Sequence, residues 1–527
     1  MSATRPAMER RSFLTAAGLG LAAPFGLTLH DVMAMATESP DAWAAGFAAA
    51  RAERAWLAGF EGVSADLPPS TLTVEGRFPA ALHGSLYRTG PARHQIGGLR
   101  YHHLFDGDGM IQRYDIDARG ARTRVTHRGV FVQTDKFVAD TAAGRPVRGT
   151  FATLMPGMEP IDSPDAINVA NTSVVMRGDE LLALWEGGSA TRLDPDSLQT
   201  LGVKTWRADY AGMPFSAHPK VEADGTLWNF GVSSAAGLLT VYCVNADGTL
   251  RRVQSVRVPD IAMVHDFAVT ERHLVFLLPS FIYDVERARN GASFLDAHVW
   301  RPELGMRALV LDKNDAARMR WFELPAGFVF HVGNAWSSKD GQRIHLDYVR
   351  SDDAAIVTTA LRELMRGHIV HPAAPARLTQ LTLDLRSGRA EQTVTPHATE
   401  FPKIDTRRTG LRHRALFCVA NSASRPGADS PIGFDTLMRF DTESGRVQRY
   451  RFAQRALVEE HLFVPARPDA PEGEGWLLGT VFDVEARRTL LTVFDARNVS
   501  AGPVAVAARE GVVPLGFHGL FRSHMAA

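Results

Sequence analysis

Cysteine is almost missing from this chain: Cys243 and Cys418 are the only two in 527 residues, far apart and each in a strand-like apolar run. That excludes a disulfide framework and a cysteine-ligated metal site, and it reads both as buried free thiols. Net charge is missing too. Lys plus Arg and Asp plus Glu both number 58, so there is no basic field for nucleic acid and no acidic tail for a tethered partner. A neutral small-molecule ligand fits this balance best. No glycine-rich dinucleotide fingerprint follows a strand and opens a helix, because "LFDGDGM" runs on into a strand-like segment. Nor, past the N-terminal region, does any apolar run approach the ~20 residues of a membrane-spanning helix.

What is present begins with an address. "ERRSFLTAAGLGLAAPFGLTL" pairs Arg10 and Arg11, follows them with Phe-Leu, and continues as a weakly hydrophobic Ala/Gly-rich run. This is the twin-arginine export pattern, with a small-residue cleavage site at Ala34–Ala36. Residues 1–36 are therefore expected to be a signal peptide for a periplasmic or extracellular protein; cleavage after Ala36 is left open. A membrane anchor is the competing reading, but Pro24 interrupts the run. The twin-arginine route carries folded proteins, which suits a chain that acquires a cofactor before export.

Residues 37–59 read as one leading helix, with Ser39 as N-cap, Pro40 at the first helical position, and Trp43, Phe47 and Trp56 among alanines. From residue 60 to 527 the texture is short apolar or alternating runs punctuated by "DGDG", "ADGTL" (twice), "KDGQ", "RSGR" and "ESGR". Such punctuation predicts an all-β sandwich, barrel or propeller. At this length a propeller is favoured, since radial repetition lets a sheet protein grow without long exposed edges. The clearest helical break, "DAAIVTTALRELMRG" at 353–367, is expected in a cap above the sheets.

Four of the 19 histidines stand at the start or end of apolar runs: "FSAHPKV" (His218), "MVHDFAV" (His265), "FVFHVGNAW" (His331) and "LGFHGLF" (His518). In a propeller, inner strands converge on one axis, so imidazoles from different blades could meet at one metal. Glutamates occupy similar settings: Glu186 in "LLALWEGG", Glu400 in "TEFPKID", and Glu459 and Glu460 in "VEEHLFVP". A carboxylate entering an apolar core needs a partner, and a metal-bound imidazole offers one through its other ring N–H. On the residues alone, strand-end side chains satisfied by the backbone remain the alternative.

The ordered blocks "LTVEGRFPAALHGSLYRTGPAR", "HHLFDGDGMIQRYDI", "VFVQTDKF" and "NVANTSVV", the four histidine segments, "TEFPKID", "EEHLFVP" and "GFHG" resemble the carotenoid cleavage oxygenases from about Phe60 to Phe521. The resemblance implies a seven-bladed β-propeller with a helical and loop dome over its top face and Fe(II) on the propeller axis. It makes His218, His265, His331 and His518 the ligands of one Fe(II) per chain. Glu186, Glu400 and Glu460 become the partners of His265, His331 and His518, Glu460 being preferred to Glu459 because it stands three residues before Phe463. Four neutral imidazoles leave the metal's charge intact and two octahedral positions open. The implied reaction joins O₂, as co-substrate, across a C=C bond to give two carbonyl products, with no NAD(P), flavin or oxoacid.

A carotenoid or apocarotenoid is the expected substrate, and a phenolic stilbene the alternative. Stilbene-cleaving members hold the phenol through a tyrosine and a lysine, and Tyr101 and Lys136 fall in about the right blocks; the competing reading packs Tyr101 and solvates Lys136. Phe281, in "LLPSFIYDVERARNG", suits a lipophilic ligand or the core equally. An O₂-independent isomerase or hydrolase and a non-catalytic binding propeller are further readings. Partners are thus a lipophilic polyene or phenolic alkene, with transient contact to a membrane surface and no nucleic acid; the oligomeric state stays open.

Overall fold

The computed structural model describes residues 40–524 apart from 121, 423–429 and 453–454. The export signal expected over 1–36 lies outside the described residues. An α-helix runs from Pro40 to Glu53, Arg54 turns extended, and a 3₁₀ segment covers Ala55–Phe60. Trp43, Phe47, Trp56 and Phe60 are buried together with Leu361, Leu364 and Met365. These last come from the 353–367 segment, where a π turn at Ile356–Ala360 leads into helix Leu361–Leu364. The two helical pieces therefore share one apolar contact, as alternating Trp, Phe and Leu at helical spacing dictate.

The chain is otherwise dominated by antiparallel sheet. Four-stranded sheets follow one another along the sequence: residues 173–203, 220–257 and 267–324 each supply one. Next comes a seven-stranded sheet over Phe328–Arg451. Its long strand Ala390–Lys403 pairs first with Arg377–Asp384 and then, past Ala398, with Ala415–Ala420. The "ADGTL" turns do what their glycines allow: Gly225 and Gly248 sit at φ +81° and +84° in tight connections between neighbouring strands.

Both ends of the described chain are tied in. Thr73–Gly76 pairs with Pro503–Glu510, and the last strand, His518–Ser523, pairs with Gly84–Arg93, Thr89 facing His518. The closing segment is thereby stitched into the first sheet. Apolar side chains fill the spaces between successive sheets. Phe230 on one sheet meets Phe267 and Phe276 on the next, the latter two stacked at 5.3 Å, and each such ring contributes about 1.5–3 kcal/mol by leaving water. Cys243 and Cys418 are free and buried, and burial pushes the Cys418 thiol up. Among the described residues no helix is long and apolar enough to cross a membrane.

Candidate metal centre and its cavity

His218, His265, His331 and His518 meet in one buried cluster, each offering one ligand atom, all within 4.8 Å of one another. They arrive from four separate places. His218 and His265 lie just before strands Lys220–Val221 and Phe267–Val269, His331 is inside strand Phe328–Ser337, and His518 opens the last strand. Nε2 faces Nε2 in both contacts, at 2.8 Å between His218 and His265 and 3.1 Å between His331 and His518.

Three of the rings are held from behind. His265 Nδ1 contacts Glu186, His331 Nδ1 donates to Glu400 at 2.5 Å, and His518 Nδ1 donates to Glu460 at 2.7 Å. A carboxylate on Nδ1 fixes the proton there and leaves Nε2 as a bare lone pair. Three inward lone pairs a few ångströms apart repel one another unless a proton or a metal ion lies between them, and one metal ion can serve all of them at once.

The charges argue the same way. Glu460 Oε1 also accepts from Lys403 at 2.6 Å, Glu459 pairs with Arg88, and Asp266 with Lys220 at 2.7 Å. Glu186 and Glu400 have no lysine or arginine ion pair among the described residues; their partners are the histidines. Two buried or half-buried carboxylates without a fixed cation suit a divalent ion, since a desolvated charge is costly unless matched. Burial drives the His218 imidazole well below its ordinary range, helped by the neighbouring rings. It also takes His518 down to about 3 despite Glu460. For His265 burial again pulls downward, but the Glu186, Asp266 and Glu400 carboxylates together outweigh it and the shift is upward. Burial opposes the Glu460 carboxylate, but Lys403 and His518 hold it well below the usual range.

Irregular backbone delivers His331, Glu400, Glu459 and Glu460. The ladder register breaks between Val329 and Val332, around His331; between Glu400 and Lys403; and between Val458 and His461, where Glu459 and Glu460 sit. Phe401 has φ +51°, and its N–H donates to Glu400 Oε2 at 2.6 Å. Extra residues inserted into a ladder bend the strand and re-aim side chains.

Above the cluster opens a cavity of about 620 Å³, reaching His265, His331 and His518 and walled largely by apolar side chains. Phe105 lies at its heart, with ring contacts to Phe151, Phe330 and Phe517 at 5.5–5.9 Å. Phe60, Ile356 and Leu361 bring in the helical pieces. The size is that of a small-molecule site. Phe105 and Phe330 escaped the sequence reading, although the Phe-His dipeptides at 330–331 and 517–518 were a usable signal.

Three expected substrate contacts lie elsewhere. Tyr101, Lys136 and Phe281 do not line this cavity. Lys136 is fully buried; its Nζ donates to Tyr101 Oη at 2.6 Å and to Asp108 and Asp140 at 2.9 Å each. Tyr101 is equally buried and donates to Asp140 at 2.8 Å. The lysine is thus neither solvated nor turned to the cavity, because two carboxylates claim it. Phe281 packs behind the wall on His298 and Phe328, while Tyr283, two residues on, lines the cavity.

The fold and site define a class: an all-β protein with a buried four-imidazole cluster, able to hold a metal ion, at the foot of an apolar cavity. The chain belongs to the carotenoid cleavage oxygenase family, matching the family described as retinal pigment epithelial membrane protein over residues 60–523. It is 29% identical to the apocarotenoid-15,15'-oxygenase of Synechocystis over 88% of this chain and 95% of that protein. It is also 29% identical to an isoeugenol monooxygenase of Pseudomonas putida, over 86% and 94%. A solved structure of cobalt-substituted Synechocystis apocarotenoid oxygenase superposes with a TM-score of 0.78 at 26% identity, covering 89% of this chain and 98% of that one. The lignostilbene dioxygenase of Pseudomonas brassicacearum gives 0.77 at 28% identity, over 88% and 97%.

Proposed function

We propose that this protein cleaves a C=C double bond of a carotenoid or apocarotenoid with O₂, one oxygen atom going to each of two carbonyl products, at Fe(II) held by His218, His265, His331 and His518. The observation that carries the reading is the cluster of four imidazoles, Nε2 facing Nε2, at the foot of an apolar cavity. When bound, the metal would supply the redox-active Lewis acid at which O₂ meets the alkene. The chain's own residues do the rest. Glu186, Glu400 and Glu460 keep Nδ1 protonated and the rings aimed. Phe105, Phe330 and Phe517 pack on one another in the cavity wall and offer an apolar chain a surface that excludes water beside the histidines.

The sheet order supports a seven-bladed propeller with the metal on its axis. The five sheets of four or five strands, with the seven-stranded sheet divided at Ala390–Lys403, make seven antiparallel groups, and the last strand closes on the first. Arg10 and Arg11 with the following Ala/Gly-rich run support export by the twin-arginine route, with residues 37–59 then leading into a single catalytic domain.

A phenolic alkene is the second reading, favoured by similarity to isoeugenol- and lignostilbene-named proteins. Against it stands the commitment of Tyr101 and Lys136 to Asp108 and Asp140. The test is product analysis after iron-loaded protein meets an apocarotenal and a hydroxystilbene under ¹⁸O₂. Two labelled carbonyl products from the apocarotenal are expected; turnover of the stilbene alone, or products without label, would overturn the reading.

A further inference from the structure

Glu460 aims the His518 ring, but its neighbour Glu459 holds the backbone that carries it. Consecutive strand residues normally point to opposite faces. The register break between Val458 and His461 lets Glu459 and Glu460 both turn to the closing strand. Glu459 Oε1 accepts from the Gly516 N–H at 2.6 Å and from Arg88 Nη2 at 3.2 Å, while Oε2 accepts from the Thr480 hydroxyl at 2.5 Å. Arg88 in turn donates to the Glu460 carbonyl at 2.8 Å and to the Phe517 carbonyl at 3.4 Å. The two side chains are 10% and 3% exposed, so these are charge-assisted bonds little weakened by water.

We propose that Glu459, carried by Arg88, is a positioning residue for His518: a carboxylate–guanidinium clamp on Gly516 and Phe517 that sets the direction of the His518 Nε2 lone pair. The clamp grips the two residues immediately before the imidazole, and the Phe517 N–H is already fixed on Thr89 O at 2.8 Å. Gly516 and Gly519 let the segment lie flat on its partner strand; a Cβ at Gly519 would come within 2.4 Å of Tyr87 O. With Glu460 on the ring and on the Gly519 N–H at 3.0 Å, every residue from 516 to 519 is held. A ring aimed by Glu460 on an unclamped backbone would still swing, and ligand aim is what metal affinity reads.

The proposal rests on His518 being a metal ligand, and the two ideas can fail separately. Cobalt(II) is titrated into wild-type, Glu459→Gln, Glu459→Ala and His518→Ala protein against a competing chelator, and the cobalt absorption bands are recorded. Glu459→Ala is expected to weaken binding by about tenfold, the low end for groups acting behind a ligand, and to shift the bands. Glu459→Gln should lose less, because its amide oxygen still accepts from Gly516. Wild-type affinity and bands in a cooperatively melting Glu459→Ala protein overturn the clamp; if that variant does not fold, wild-type bands and affinity in Glu459→Gln do so. Undiminished cobalt binding by His518→Ala sinks the ligand assignment itself.

Discussion

Replacing Glu460 by glutamine changes one oxygen for an NH₂ and almost no volume, so its cost can be worked from three contacts. Glu460 is 1% exposed and accepts from His518 Nδ1 at 2.7 Å, Lys403 Nζ at 2.6 Å and the Gly519 N–H at 3.0 Å. A glutamine that keeps its carbonyl oxygen at the Oε1 place turns its NH₂ onto the Gly519 N–H; one that puts the oxygen at the Oε2 place turns its NH₂ onto both the ring N–H and the ammonium. His518 then gains by moving its proton to Nε2, which removes the inward lone pair. Loss of such a partner weakens metal binding by about 10–100-fold, or about 1.4–2.7 kcal/mol. The assay is metal retained per chain against graded chelator, with circular dichroism to confirm the fold. Retention within twofold of wild type by a folded Glu460→Gln protein would refute the argument that this carboxylate sets the His518 tautomer.

Acid should destabilise the fold through histidines remote from the cluster. Burial takes His103 and His127 down to about 3 and His298 to about 4, and Arg509 donates to His127 Nδ1, holding it neutral. Unfolded chains bind these protons below about pH 6.5 while the folded one refuses them. Stability therefore falls as pH drops from about 6.5 toward 4, by up to about 4 kcal/mol per pH unit for the three together; a melting temperature flat over that range would refute this. Lys136→Met leaves Asp140 without a cation in the interior and Asp108 with Arg93 alone, and should cost about 3–5 kcal/mol, read by thermal melting, with the ratio of stilbene to apocarotenal turnover unchanged. Selective loss of the phenolic substrate in a stable protein would return Lys136 to the site. Phe276→Ala should cost about 3–5 kcal/mol, seen in denaturant melts, while the folded fraction keeps its metal.

What could be read from the chain was whatever interrupts an apolar strand. An imidazole or carboxylate at the edge of a hydrophobic run is conspicuous, so His218, His265, His331 and His518 and their three glutamates were candidates before any fold existed. Sheets brought one ligand atom from each of the four imidazoles within 4.8 Å of the others. Tyr101 and Lys136 misled because a motif block says nothing about what closes over it. Yet Asp140 stands one helical turn from Lys136 in the helix Asp135–Ala143, and an i, i+4 pair on a buried face was a visible reason for the lysine to stay inside.

The division of roles between Glu459 and Glu460 is set by backbone that periodicity does not show. Pattern reading assumes that neighbours in a strand face opposite ways, and under that rule one of two adjacent glutamates must be a bystander. A bulge at 458–461 removes the rule locally, and both acids then serve the closing strand, one through the ring and one through the chain. The breaks around His331 and at 400–403 have the same effect, placing Phe330 and His331, and Glu400 and Phe401, side by side on the cavity. Bulges are stabilised by what their extra residue touches rather than by the ladder. Three of this fold's ladder breaks therefore carry residues of the site, and restoring regular pairing at one of them, by deleting one residue between Val458 and His461, should abolish metal retention while leaving the neighbouring sheets folded.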